Sequence, residues 1–179
     1  MKKAVLELLK QRNITVKKIA ELVYILQESY YPHLKLEQCL EAVDTVLTKR
    51  DVQHAILTGL ALDMAAEKGE LAEPLQMIIS NDESLYGVDE VLGMAITNIY
   101  GTIGVTGFGY LDKMKIGLVG ELDRATDSVN TFADDLVAAI AAAAAAKLAH
   151  SAKREENNEK TFQKFLCYGD CRSDDFIRR

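Results

Sequence analysis

Two adjacent carboxylates, Asp134 and Asp135, lie in the apolar run Phe132-Ala133-Asp134-Asp135-Leu136-Val137-Ala138-Ala139-Ile140. The pattern places them inside a long helix from about Ser128 to His150. A helix apolar on nearly every side is normally buried. Successive helical residues point about 100° apart, so at least one of the pair must face other protein. An ionised carboxylate buried without a partner either protonates or finds a cation. A purely structural solution is also open: one Asp pairs with Arg124 or a lysine, and the other faces water.

Two further acidic positions accompany this pair, although Asp112 alone would be an ordinary surface acid. Asp89-Glu90 precedes Val91-Leu92-Gly93-Met94-Ala95-Ile96, where acids in a first turn also answer the helix dipole. Asp112 follows Tyr110-Leu111 and is flanked by Lys113 and Lys115. Carboxylates pointing inward from facing helices are how helical bundles build oxygen-rich metal sites. Without a neighbouring histidine, such a set selects a hard cation: Mg2+ first, with Mn2+ or Ca2+ as alternatives. Mg2+ retains positions for water and phosphate oxygens, so the matching chemistry is phosphoryl transfer or phosphate-ester hydrolysis. Asp89, Glu90, Asp112, Asp134 and Asp135 are the expected metal ligands, and Asp89, Asp112 and Asp135 the expected catalytic acids. Lys113, Lys115 and Arg124 are expected to offset phosphate charge. The competing expectation is a non-catalytic helical oligomer with a structural ion site or a paired acid network.

The elements that must position these groups are helices. Residues 2–12 carry Val5, Leu6, Leu8 and Leu9, and Thr15 is a cap for a helix with Ile19, Leu22, Val23 and Leu26. A third helix starts near Leu36. Thr48 and Asp51 suggest a capping box for a helix running to about Lys68, with Gly69 stopping it. Pro74 suits the first turn of the next helix. The stretch Gly101-Thr102-Ile103-Gly104-Val105-Thr106-Gly107-Phe108-Gly109 could offer backbone N–H groups to a phosphate, or let helices bend and approach closely. It lacks the Gly-Lys-Ser/Thr of a P-loop.

The bulk properties agree with an all-α single domain. The chain has 179 residues, 49% of them hydrophobic, with two prolines, no tryptophan and many Ala, Leu, Glu and Lys. Residues 1–152 are expected to form the helical domain, with its carboxylate motifs within 60–145, and 153–179 a charged C-terminal extension. A net charge of −6 argues against nucleic acid. The N-terminus lacks the apolar core of a signal peptide, and the run Leu136–Ala146 falls short of a membrane span, so no transmembrane segment and a cytoplasmic protein are expected. Cys39, Cys167 and Cys171 are too few for a disulfide framework, and free thiols are expected. The alanines from Ala138 to Ala146 suit close helix packing within or between subunits, and a homo-oligomer is expected.

Taken in order, the motifs resemble those of the phosphatidylglycerophosphatase A family. Val88-Asp89-Glu90-Val91-Leu92-Gly93-Met94 is similar to its Asp-Glu-x-x-Gly-Met segment. Phe108-Gly109-Tyr110-Leu111-Asp112-Lys113-Met114-Lys115 is similar to Phe-Arg-x-x-Asp-x-x-Lys-Pro. Asp123-Arg124 and Asp134-Asp135-Leu136-Val137-Ala138 follow in the family's order, and Leu62-Asp63-Met64 is a weaker match upstream. Gly109 and Ile116 stand where the pattern has Arg and Pro. The likeness is greatest to the soluble YutG-like, or low-temperature-requirement C, branch. It implies an all-helical fold in which a central helix is surrounded by several others. It also implies Mg2+-dependent removal of phosphate from phosphatidylglycerophosphate. The implied partner is a phosphate ester, a lipid met at the inner membrane face in the family's case.

Overall fold

The computed structural model describes residues 1–170, with side chains described through Ser151. It divides into a unit Met1–Lys147 and a unit Leu148–Arg179. The helices are α1 (Lys2–Gln11), α2 (Val16–Gln27), α3 (Leu36–Val46), α4 (Arg50–Glu67), α5 (Leu75–Ser80), α6 (Val88–Thr97), α7 (Gly101–Met114), α8 (Leu118–Asp123) and α9 (Ala133–Asp170); a single 3-10 turn, Asn98–Tyr100, joins α6 to α7. No strand occurs among the described residues. Cys167 and Cys171 lie outside the residues whose side chains are described.

The first half folds as amphipathic helices. Ile19, Ala20, Leu22 and Val23 of α2 are buried, as are Cys39, Ala42, Val43 and Val46 of α3, and these two helices pack together. Thr15 caps α2, its hydroxyl accepting the Lys18 N–H at 3.2 Å. Gly69 ends α4 with a left-handed φ of 68°, which glycine adopts without a Cβ penalty. The expected Thr48–Asp51 capping box does not form. The Thr48 hydroxyl instead donates to the Thr45 carbonyl at 2.6 Å, closing the end of α3, and α4 begins at Arg50 without a side-chain cap.

In the unit Met1–Lys147 the centre is the start of α9. From Leu136 to Ala146 every side chain is buried, so the small-residue surface packs inside the chain's own core. Alanine has no side chain beyond Cβ, and neighbours can therefore approach this helix from all sides. Gly107 of α7 lies against Ala142, and Gly59 of α4 lies against Leu136 and Phe132.

The start of α9 differs from the expected one near Ser128. Asp63 of α4, fully buried, accepts the backbone N–H groups of Phe132 (3.1 Å) and Ala133 (2.9 Å), so it caps the helix from another element. The Thr131 hydroxyl donates to the Ile79 carbonyl at 2.7 Å. These contacts hold residues 125–132 as a turn. Asp134 and Asp135 consequently occupy the first turn of α9 rather than its middle.

Helices α6 and α7 fold back on each other. A Cβ on Gly93 would stand 2.8 Å from Phe108 Cζ, whereas a continuous helix would separate positions 93 and 108 by about 22 Å. Gly101, with φ of 73°, makes the reversal. By length and composition, Val88–Met114 would suffice to cross a membrane, being 27 residues with mean hydropathy 1.3. The reversal divides it into arms of 10 and 14 residues, each shorter than the roughly 20 a span requires. The glycines of this stretch thus bend the chain and let helices touch.

Candidate metal centre

The hairpin brings the first two acidic motifs together. Gly93 and Phe108 touch, and one turn further out along each arm come Asp89 and Asp112. The first turn of α9 closes the third side, since the Asp135 carbonyl lies 3.5 Å from the Cβ position of Gly93. The result is an open pocket of about 180 Å3, lined by Asp89 and Glu90 of α6, Asp112 of α7, Asp134 and Asp135 of α9, Lys115, and the loop Asp82–Gly87. Leu85 stands on its rim fully exposed, with a left-handed φ of 70° that a leucine rarely adopts.

Within the pocket the carboxylates form two groups. Asp89, Glu90 and Asp135 each offer an oxygen within 4.8 Å of the others. Asp89 and Asp135 are buried and Glu90 is exposed. Asp112 and Asp134 instead meet Lys115, whose Nζ donates to Asp112 Oδ1 at 2.9 Å and to Asp134 Oδ2 at 2.8 Å. Asp123, at the end of α8, is a third acid on the same ammonium at 3.4 Å.

The electrostatics follow this division. Burial raises the Asp134 carboxyl to about 6, against the lowering effect of its bond to Lys115. Asp135 is only 3% exposed, and no donor reaches its carboxylate among the described residues. Burial, then the negative charges of Asp134, Asp112 and Asp89, push it up to about 9. Asp89 rises to about 7 through burial and the Glu90 carboxylate beside it. Burial alone would lower the Lys115 ammonium, but the bonds to Asp134 and Asp112 outweigh it and hold it firmly protonated. Asp82, across the rim, is also raised, chiefly by burial.

A divalent cation fits this donor set. Among the described residues Asp135 is a buried acid with no hydrogen-bond donor, facing two further carboxylates, and the ligands these three offer are hard oxygens. Of the adjacent pair, Asp134 meets a lysine, as the structural solution expected for one Asp, and Asp135 faces acids.

All five expected ligands and Lys115 line one pocket. Lys113 and Arg124 do not. Lys113 is exposed on α7, and the Arg124 guanidinium lies over Gly120, 2.8 Å from where a Cβ would stand. Sequence reasoning passed over Asp123, although it forms the Asp half of the Asp123-Arg124 motif, and over Asp82. Asp63 is a weak motif match in the sequence, and in the structure it caps α9.

An all-helical bundle with a carboxylate pocket at the open end of a hairpin defines the class of protein. The family model "Phosphatidylglycerophosphatase A" matches residues 8–150, and the chain belongs to that family. It is similar to YpjQ of Bacillus subtilis, 51% identical over 154 residues, covering 86% of this chain and 87% of that protein. It is also similar to YutG of Bacillus subtilis, 52% identical over 149 residues, covering 83% and 90%. Among solved structures, Bacillus subtilis YpjQ aligns with a TM-score of 0.83 at 50% identity, covering 86% of this chain and 95% of that one. The low temperature requirement C protein of Listeria monocytogenes aligns with a TM-score of 0.83 at 52% identity, covering 85% and 96%.

Proposed function

We propose that the chain is a Mg2+-dependent phosphatase acting on phosphatidylglycerophosphate or a related phosphate monoester. The observation that carries this reading is Asp135, a buried carboxylate with no donor among the described residues, turned toward Asp89 and Glu90. These three acids would hold the ion. The ion's contribution is to polarise the phosphoryl group and lower the pKa of a water. Asp112 is half exposed at the pocket mouth and is assigned the role of taking the water's proton as oxygen attacks phosphorus. The ester P–O bond then breaks and the alcohol leaves with a proton from solvent. The Lys115 ammonium, already in the pocket, offsets the charge of the bound phosphate.

The test is phosphate release from phosphatidylglycerophosphate in detergent micelles and from glycerol phosphate in solution, each with Mg2+ and with EDTA. Mg2+-dependent release that disappears in Asp135→Asn is the expected result; undiminished turnover in that variant rules the assignment out. One observation favours a second reading, a non-catalytic ion site. Gly109 leaves no guanidinium one turn before Asp112, and the space there is open. Thermal stabilisation by Mg2+ with no release from either substrate would select that reading.

A further inference from the structure

Resting on the metal-binding half of that reading, we propose that the Lys115 ammonium occupies a second cation position in the pocket. On this proposal the chain takes one divalent ion, although its carboxylates could enclose two. The geometry points to it in three ways.

First, three acids from three elements converge on one nitrogen: Asp112 from α7 at 2.9 Å, Asp134 from α9 at 2.8 Å and Asp123 from α8 at 3.4 Å. A simple ion pair needs one carboxylate. Three around a single ammonium leave a negative excess, which is the charge environment of a metal position. Two of its N–H groups donate to Asp112 and Asp134 and Asp123 adds an ion pair, so the lysine answers the charge of the position without a metal.

Second, the backbone holds the lysine in place. Lys115 sits directly after α7 with φ 46° and ψ 51°, the left-handed region that a residue with a side chain seldom adopts. The chain turns there, and the side chain returns over the pocket instead of continuing along the helix into solvent.

Third, the other half of the pocket has no such occupant. Lys115 is the only cationic side chain among its described lining residues. Asp135, more than nine-tenths buried and without a donor among the described residues, is aimed into the half that Asp89 and Glu90 complete. A phosphate entering the pocket would therefore meet one divalent ion on one side and one fixed ammonium on the other.

The experiment is the stoichiometry of Mn2+, measured by calorimetry and by electron paramagnetic resonance, on the full chain. Wild type is expected to bind one ion per chain. Lys115→Gly, which suits the left-handed backbone, is expected to bind two, with the spectrum of a coupled Mn2+ pair. Lys115→Arg keeps a cation and is expected to bind one. Asp123→Asn in the wild-type background leaves the count at one, whereas Asp135→Asn brings it to zero. Two ions on wild type, or one on a folded Lys115→Gly, overturns the proposal. Should Lys115→Gly not fold, loss of the ion in Asp123→Asn overturns it equally. Phosphate release is scored separately: one ion without turnover removes the phosphatase reading and leaves this inference standing. No ion on wild type removes both.

Discussion

Asp63 on α4 accepts the Ala133 N–H at 2.9 Å, so a residue seventy positions earlier in the chain caps the helix that carries two of the pocket's acids. Asp63→Ala leaves the Phe132 and Ala133 N–H groups buried without an acceptor. The expected cost is about 1–3 kcal/mol, the range for leaving a buried donor unsatisfied. Asp63→Asn retains one acceptor oxygen and is expected to lose less. Urea denaturation of the two variants, compared at constant m-value, checks the order.

The raised carboxyls make stability depend on pH in a definite direction. Asp134, Asp63, Asp89 and Asp135 are raised to about 6, 7, 7 and 9 from 3.8. Between pH 4 and 9 the folded chain therefore binds more protons than the unfolded chain, and stability falls as pH rises. In EDTA the melting temperature is expected to drop steadily from about pH 5 to pH 9. Mg2+ should flatten the upper part of that slope by stabilising the ionised acids. A metal-free profile that rises over this interval would contradict the assignment of these groups as protonated.

Asp135→Asn separates charge from shape. Without metal it removes a buried acid surrounded by like charges, and it is expected to raise the melting temperature at pH 8. With Mg2+ the order reverses, because wild type gains an ion that the variant cannot hold. Differential scanning fluorimetry at pH 8, with and without Mg2+, reads both halves.

Two glycines of the hairpin predict opposite outcomes for the same substitution. Gly93→Ala sets a Cβ 2.8 Å from Phe108 Cζ and 3.5 Å from the Asp135 carbonyl. It is expected to cost about 1–3 kcal/mol by overpacking and to weaken Mn2+ binding by spreading the arms. Gly109→Ala enters open space on an exposed helical face and is expected to gain about 1 kcal/mol. Denaturation midpoints distinguish them, and equal effects would refute the close approach at Gly93.

The helices were legible because their apolar residues recur at helical spacing, as with Ile19, Leu22 and Val23. Asp134 and Asp135 were legible because carboxylates beside Leu136 and Val137 conflict with burial, whereas Asp89, Glu90 and Asp112 were legible only as members of an ordered set of acidic motifs. What the sequence could not reveal depends on contacts between distant segments. The start of α9 follows from Asp63, and nothing local to Ser128 signals that the helix waits until Ala133. The reversal at Gly101 reads in one dimension as a long apolar stretch. The choice of Lys115 over Lys113 and Arg124 depends on a left-handed backbone at one residue, which lysine itself does not announce.

The Asp63 cap works as a ruler. It grips Phe132 and Ala133 by their backbone, so the count from grip to carboxylate is fixed at one residue for Asp134 and two for Asp135. Sliding α9 by a single position would turn it by about 100°, offering Lys115 the wrong acid and turning the other away from Asp89. No residue can be gained or lost between Ala133 and Asp135 without exchanging the two carboxylates' tasks.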